Sequence, residues 1–488
     1  MKKRAIGIFL ALTMGMSPAV CMGSTEAAEP KTRVIITQDG EVDDMNSLLH
    51  TLLYANDLDI EGIVQSSSSL HYSGDDNNEP LRWTGTDWMY DFMDAYAEVY
   101  PNLIVHDPDY PEPDALRALT VVGNVTMENE IETDTDGSNL IKESILKEDD
   151  RPLYITICGG ANTLARALKS IEEEHGSDAD WQELHDKIVS KVVIFTWAFQ
   201  DKTYKEYISQ SWPEIPVINV SNAAICFGYR WKGADGMSEA AIEKMSAAWM
   251  QENLLNDHGA LLDRYVTWGD GTYIEGETDD QQFGTNESML NTEDWWGKIP
   301  YDRYDFLSEG DTPTFLMLLP LGLRSLEDYS YGGWGGMYTT KEYAENENVK
   351  NYYTAVKGTN TAPWMEAVFN DFAARADWCV TSSYEDANHE PEVTVTDGLD
   401  RTAAAGEEVS IHGEATDPDG DNVTLSWSRL SDADTYEGEL EISGTGNDLT
   451  VTVPADAKAG DTIHVLLKGT DDGEHTLERY QRVIITVK

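Results

Sequence analysis

The sequence predicts an α/β domain built on a mostly parallel central sheet, followed by a small all-β sandwich of immunoglobulin type. Three observations carry this. Short β-branched runs alternate with helical patterns from Thr32 onward, the helical pattern stops near Trp378, and beyond it strand patterns separated by turn residues fill the chain.

At the start, Met1-Lys2-Lys3-Arg4 precedes an apolar run from Ala5 to about Met16 and then small and polar residues up to Pro30. This is the layout of a secretory signal, assigned to residues 1–28 and removed on export. The run is shorter than the roughly 20 apolar residues of a membrane helix, as is every later stretch. The expectation is a secreted product, periplasmic or extracellular, with no membrane insertion. Cys21 raises lipidation, against which Val20 stands where a lipobox takes a small residue.

Residues 32–388 form the predicted α/β domain. The runs Arg33-Val-Ile-Ile-Thr37, Leu153-Tyr-Ile-Thr-Ile-Cys158 and Lys191-Val-Val-Ile-Phe195 read as buried strands, and Asp43 to Ala55 and Asn162 to Ile171 as helices. A short buried strand followed by a helix implies parallel βαβ units. Ligands of such sheets bind beyond the C-terminal strand ends, which directs attention to the residues after Thr37, Cys158 and Phe195. Asn388-His-Glu-Pro-Glu392 reads as a linker. Residues 389–488 then supply Val409–Gly413, Val423–Trp427, Leu449–Val453, Thr462–Leu467 and Gln481–Val487 as sandwich strands.

The formal charge of -55 is spread along the chain, which excludes long-range attraction to nucleic acid or an anionic membrane surface. Cys158, Cys226 and Cys379 are too few for a disulfide framework.

Chemistry concentrates in Thr37-Gln38-Asp39-Gly40-Glu41-Val42-Asp43-Asp44, an apolar strand running into an acidic turn and a helix. Several carboxylates at one strand end repel each other unless a cation neutralises them. Hard oxygen donors without nearby His or Cys select Ca²⁺ or Mg²⁺ over zinc. The alternative is that Asp43 and Asp44 cap the helix.

In this context the segment resembles the opening Asp-x-Asp-Pro-Gly-x-Asp-Asp of the calcium-dependent nucleoside hydrolases. The second, third and fourth family aspartates fall on Asp39, Asp43 and Asp44, while Thr37, Gly40 and Glu41 depart from the pattern. Cys158-Gly-Gly-Ala-Asn162 is similar to the family's Thr-Gly-Pro-Leu-Thr-Asn turn, by which Cys158 would offer its carbonyl to calcium. Glu309-Gly-Asp-Thr-Pro313 is similar to the late His-Asp-Pro-Leu-Ala element, which assigns Asp311 to the metal and leaves Glu309 or Gly310 where the family has a leaving-group histidine. With Gly62–His71, Gly332–Gly336 and Asp371–Trp378, these elements resemble a bacterial exported family described as cellulose-binding proteins with a nucleoside hydrolase-like domain.

The resemblance implies Ca²⁺ held by Asp39, Asp43, Asp44, Asp311 and Cys158, with Asp39 also the general base for a metal-bound water. Asp201 and His71 are the candidate leaving-group acids, and Ser68, Trp197, Gln200 and Trp334 the candidate substrate contacts. The expected activity is calcium-dependent hydrolysis of a glycosidic bond, N-ribosyl or related. The alternative is a carbohydrate-binding protein, for cellulose or another polysaccharide, that keeps the fold without turnover. Asp417-Pro-Asp-Gly-Asp421 could bind calcium, but the expectation there is a plain turn.

Overall fold

Strand β1 (Thr32–Gln38) runs through the middle of the molecule with almost every residue buried. Its period-two alternation points Val34 and Ile36 to one core and Ile35 to the other, as a strand covered on both faces requires. The computed structural model describes residues 30–229, 236–291, 300–356 and 360–488; the expected signal, residues 1–28 with Cys21, lies outside them. Among the described residues no helix is long and apolar enough to cross a membrane.

Seven further strands complete the sheet: β2 (Leu58–Gln65), β3 (Thr120–Val122), β4 (Leu153–Gly159), β5 (Val192–Phe199), β6 (Val217–Asn219), β7 (Tyr338–Thr340) and β8 (Tyr352–Ala355). The order is β3-β2-β1-β4-β5-β6-β8-β7, and every pairing is parallel except that of β7 with β8. The helices Val42–Leu52, Asp87–His106 and Met365–Trp378 cover one face, with Leu48, Phe92 and Phe369 in its core. Helix Asn162–His175 covers the other, burying Leu164 and Leu168. The α/β prediction with a mostly parallel sheet is thus met.

The C-terminal region adds β9 (Glu392–Val395), β10 (Asp400–Ala403), β11 (Glu408–Thr416), β12 (Thr424–Arg429), β13 (Ser443–Thr445), β14 (Asp448–Thr452), β15 (Thr462–Thr470) and β16 (Glu478–Val487). They form a five-stranded sheet, β10-β16-β15-β12-β13, and a three-stranded one, β14-β11-β9. Their inner faces share a core that includes Trp427, Val451 and Val465, as a sandwich does.

Residues Thr32–Lys488 make one compact unit. The reason lies in β16 and in the segment read as a linker. Tyr480 and Arg482 donate backbone N–H groups to the carbonyls of Leu321 and Gly322, at 3.2 and 3.1 Å. The Arg482 guanidinium, fully buried, donates to the carbonyls of Leu323, Tyr331 and Gly332. Asn388 and His389 are themselves buried, where a free hinge would be exposed. Trp378 Nε1 donates to the Asn388 carbonyl at 2.9 Å, and the His389 ring stacks on Tyr384 with centroids 3.7 Å apart.

Candidate metal and sugar site

The sheet's connections leave β1 toward β2 on one side and β4 toward β5 on the other, so the crevice beyond β1 and β4 is a topological switch point. Asp39 follows β1 there and is fully buried. Gly159 ends β4 at φ +111°, and a Cβ on it would lie 2.8 Å from the Asp39 carboxylate. Only glycine allows β4 to approach Asp39 so closely.

Asp43 and Asp44 lie in the first turn of helix Val42–Leu52, yet no side chain caps that helix. Asp44 Oδ1 instead accepts the Asp39 N–H at 3.2 Å, so Asp44 turns back toward the strand end. Asp311, buried at the start of the short Thr312–Leu316 helix, completes the group. One ligating atom from each of Asp44, Cys158 and Asp311 lies within 4.8 Å of the others. For Cys158 that atom is the thiol sulfur. Burial and the neighbouring carboxylates push the thiol's pKa well up, so it stays protonated and donates to Asp311. It supports the carboxylates as a donor rather than as a soft thiolate ligand.

Asp43 and Asp44 are pushed well above the usual carboxylate range by burial and then by Asp39, Asp311 and Glu41, with Asp43 adding to the rise at Asp44. Burial, with Asp39 and Glu41 adding repulsion, pushes Asp311 up to about 7 despite the Cys158 hydrogen bond. Asp39 Oδ2 is buried without a hydrogen-bond partner. Carboxylates packed this way outnumber the positive charges beside them, and a hard divalent cation fits the donor set. A small cavity lined by Gln38, Asp44, Cys158 and Asp311, about 10 Å³ in volume, is of the size of one water or ion.

His71, fully buried, is the nearest counter-charge. Its Nδ1 faces Asp39 Oδ2 at 3.5 Å, and its Nε2 bonds Glu277 Oε1 at 2.8 Å. Burial disfavours its charge, but Asp39 and Glu277 prevail and raise its pKa to about 10. For Asp39, burial is likewise outweighed by His71, which holds it below the usual range. Glu277 is held in turn by Arg82 at 2.7 Å, and Arg82 reaches Glu41 at 3.5 Å. Arg82 adopts φ +41°, an unfavourable backbone conformation that the ion pairs retain. Tyr229 Oη donates to Glu41 and Asp43 at 3.2 and 3.3 Å.

The remaining candidates divide. Ser68 Oγ accepts from the backbone of Leu70 and His71, shaping the loop that delivers His71. Gln200 bridges Gly159 and Ser69 through its backbone, leaving its Oε1 buried without a protein partner. The Trp197 indole lies 3.4 Å from where a Gly310 Cβ would be, beside Asp43. Asp201 Oδ1 accepts from the Thr203 backbone and hydroxyl, while its Oδ2 is buried without a partner, 2.6 Å from where a Gly160 Cβ would be. Burial pushes its pKa above the usual carboxylate range, against the lowering effect of Thr203, Ala161 and Asn162. Trp334 is a correction, being 1% exposed with its indole donating to Tyr480 Oη at 3.3 Å, so it belongs to the sandwich junction. Trp334→Leu is expected to lower the melting temperature while leaving sugar affinity within about twofold; calorimetry and thermal scans on one preparation check this.

Glu309 points inward. Its carboxylate is met by His50 at 2.7 Å, Thr312 Oγ1 at 2.8 Å and Tyr265 Oη, so it is satisfied and remote from a ligand. Gly310 stands in the opening, where a Cβ would fall 2.6 Å from Asp43 Oδ2. Sequence reasoning missed Arg82, Tyr229 and Glu277, which come from distant loops. Glu41 alone carried a signal, as an acid where the nucleoside hydrolase pattern has glycine.

Comparison with known proteins bears on the family and the fold. Residues 33–338 match the family described as cellulose-binding Sde182, nucleoside hydrolase-like domain. Residues 408–487 match that of the cellulose-binding protein Sde0182, C-terminal domain. A solved nucleoside hydrolase-related hypothetical protein from Saccharophagus degradans, associated with carbohydrate metabolism, is 28% identical with a TM-score of 0.71, covering 94% of this chain and 100% of its own. Three N-terminal domains of the bacteriophage RB49 Hoc capsid protein cover 20% of this chain and 30% of their own at 19% identity, with a TM-score of 0.15, too low to bear on the fold. No curated protein matches. The chain belongs to the Sde182 family of cellulose-binding proteins with a nucleoside hydrolase-like domain.

Proposed function

We propose that this is an exported carbohydrate-binding protein whose nucleoside hydrolase-like domain uses calcium to hold sugar hydroxyls without cleaving the glycosidic bond. The family's description as cellulose-binding supports the ligand class. The observation that carries the loss of turnover is that the position of the family's leaving-group histidine offers no free proton donor. Gly310 has no side chain, and Glu309 is saturated. His71 has Glu277 on one ring nitrogen and Asp39 facing the other. General acid catalysis contributes typically 10²–10⁴-fold, and none of these groups is placed to supply it.

Asp39, Asp43, Asp44 and Asp311 would hold the ion, with the Cys158 carbonyl as the ligand the resemblance adds. When bound, calcium supplies open coordination positions for vicinal sugar hydroxyls. Trp197 offers an aromatic face beside Asp43, and Gln200 Oε1 an unused acceptor. His71 and Tyr229 orient Asp39 and Asp43.

The test is calorimetry of cello-oligosaccharides, other plant and algal oligosaccharides and nucleosides, with calcium and with EDTA, alongside measurement of released sugar. Binding that falls at least about tenfold in EDTA with no release of sugar is expected. Steady turnover of any bound ligand would overturn the reading in favour of a hydrolase with Asp39 as base. Binding indifferent to EDTA would remove calcium from it.

A further inference from the structure

The segment expected to be a linker and the loop expected to be a plain turn meet at the junction of the two folds. We propose that they form a second calcium site, in which Asn388 Oδ1, Asp417 and Asp421 share one ion that ties the end of the α/β domain to the sandwich.

The orientation of Asn388 starts the argument. Its Nδ2 donates to Asp471 Oδ2 at 3.2 Å and to the Glu474 carbonyl at 2.7 Å. Both partners are acceptors, which fixes the amide the way it is drawn. Its Oδ1 therefore points the opposite way, and it is buried with no partner in a residue only 8% exposed. A Cβ placed on Gly473 would lie 2.4 Å from Asn388 Oδ1 and 2.4 Å from Asp421 Oδ2, so the two oxygens are at most twice that distance apart. Neither atom carries a proton when Asp421 is ionised, so two acceptors face each other across a gap.

Asp417, four residues before Asp421 in the same loop, adds an unpartnered acceptor. Its Oδ1 accepts the backbone N–H groups of Asp419 and Asp421 at 2.9 and 3.2 Å, while its Oδ2 is buried and unpartnered. Asp471, 3% exposed, and Asp472 stand on the neighbouring β15–β16 loop. Among the described residues no lysine or arginine pairs with Asp417, Asp421, Asp471 or Asp472. The nearby His389 is taken by Asp419 at 2.9 Å, and His475 by Asp377 at 2.9 Å. Buried unpaired acceptors are costly, and an amide oxygen with several carboxylates, and neither sulfur nor free imidazole, is a donor set for calcium rather than zinc.

The donors come from two segments, the exit of the α/β domain and the β11–β12 loop. The β15–β16 loop beside them and the start of β16 pack on helix Met365–Trp378, through His475 to Asp377 at 2.9 Å and Arg479 to Asp371 at 2.7 Å. An ion here thus fastens the docking already described.

The full chain, stripped with EDTA, is titrated with calcium chloride by calorimetry. Asp421→Ala and Asp417→Ala are each expected to bind one equivalent fewer than the native chain, or to bind it at least about tenfold more weakly. Asp44→Asn, at the switch-point site, should leave this equivalent intact. Should the alanine variants not fold, Asp421→Lys places an ammonium in the gap and should lose the same equivalent while melting in EDTA at or above the native temperature. Hydrogen exchange on the native chain needs no variant, and calcium should slow exchange at residues 388–390, 417–422 and 471–474. A calcium count unchanged in the variants, or no calcium-linked protection in these segments, would show that water alone fills the gap and overturns the proposal.

Discussion

Asp44→Asn is expected to raise the melting temperature of the EDTA-treated protein and, in the same molecule, to weaken calcium binding at the switch point by about 100-fold or more. The two effects have one cause. Asp39, Asp43, Asp44 and Asp311 converge on one crevice with His71 as the adjacent counter-charge. Two unit charges about 4 Å apart repel by about 4 kcal/mol at the effective dielectric of a protein site. Without metal the cluster opposes folding, and neutralising Asp44 relieves it. Asparagine can still accept the Asp39 N–H, so the backbone turn is retained. With metal present the missing charge is felt directly, since ligand charge count sets calcium affinity. Calcium titration and melting scans with and without EDTA read both signs. A variant destabilised in EDTA that binds calcium like the native chain would mean that the carboxylates are satisfied by protons and hydrogen bonds, and the calcium reading falls. Sugar binding is expected to fail in step with calcium.

The fold was legible because its signals are local. Val34, Ile35 and Ile36 announce a strand buried on both faces, and the turn after Thr37 leads into a helix whose inner face is apolar. The switch-point aspartates were legible for the same reason: three of the four lie within a few residues of one strand end. The sheet also explains one departure from the nucleoside hydrolase pattern. Thr37 is a buried link whose Oγ1 donates to the Thr156 carbonyl at 3.0 Å, tying β1 to β4.

What was not legible depends on long-range contact. Glu277 and Arg82 meet His71 from loops far apart in sequence, and no spacing rule connects them. Trp334 was placed by proximity to glycines. That proximity cannot tell whether an indole turns to the ligand or to Tyr480. Asn388 misled for a related reason, since a polar segment with proline reads as a linker until its partners are known. The run Asp371–Trp378, noted only as part of the family pattern, proves to be a framework. Asp371 meets Arg375, Arg479 and Tyr54, Asp377 meets His258 and His475, and Trp378 meets the Asn388 carbonyl.

Arg375 is the centre of that framework, and Arg375→Met is expected to cost about 3 to 5 kcal/mol, the range for removing one partner of a buried ion pair. The side chain is 1% exposed. Its guanidinium donates to Asp371 Oδ1 at 3.2 Å, the Leu53 carbonyl at 2.9 Å, Asn56 Oδ1 at 2.7 Å and Asp57 Oδ2 at 2.7 Å, and it lies 4.0 Å from the Tyr54 ring centroid. Methionine fills much of the volume but leaves Asp57 without its cation and the Leu53 carbonyl without this donor. At about 2 cal/mol/K of unfolding entropy per residue, a chain of this size should melt roughly 3 to 5 °C lower. These contacts hold the C-terminal end of helix Val42–Leu52, whereas Asp43 and Asp44 lie at its start, about 15 Å away at 1.5 Å per residue. Calcium affinity measured below the transition should therefore stay within about threefold of native, in contrast to Asp44→Asn. Equal losses in stability and calcium affinity would show instead that the helix moves as one lever between the framework and the site, and that the carboxylate cluster is positioned from its far end.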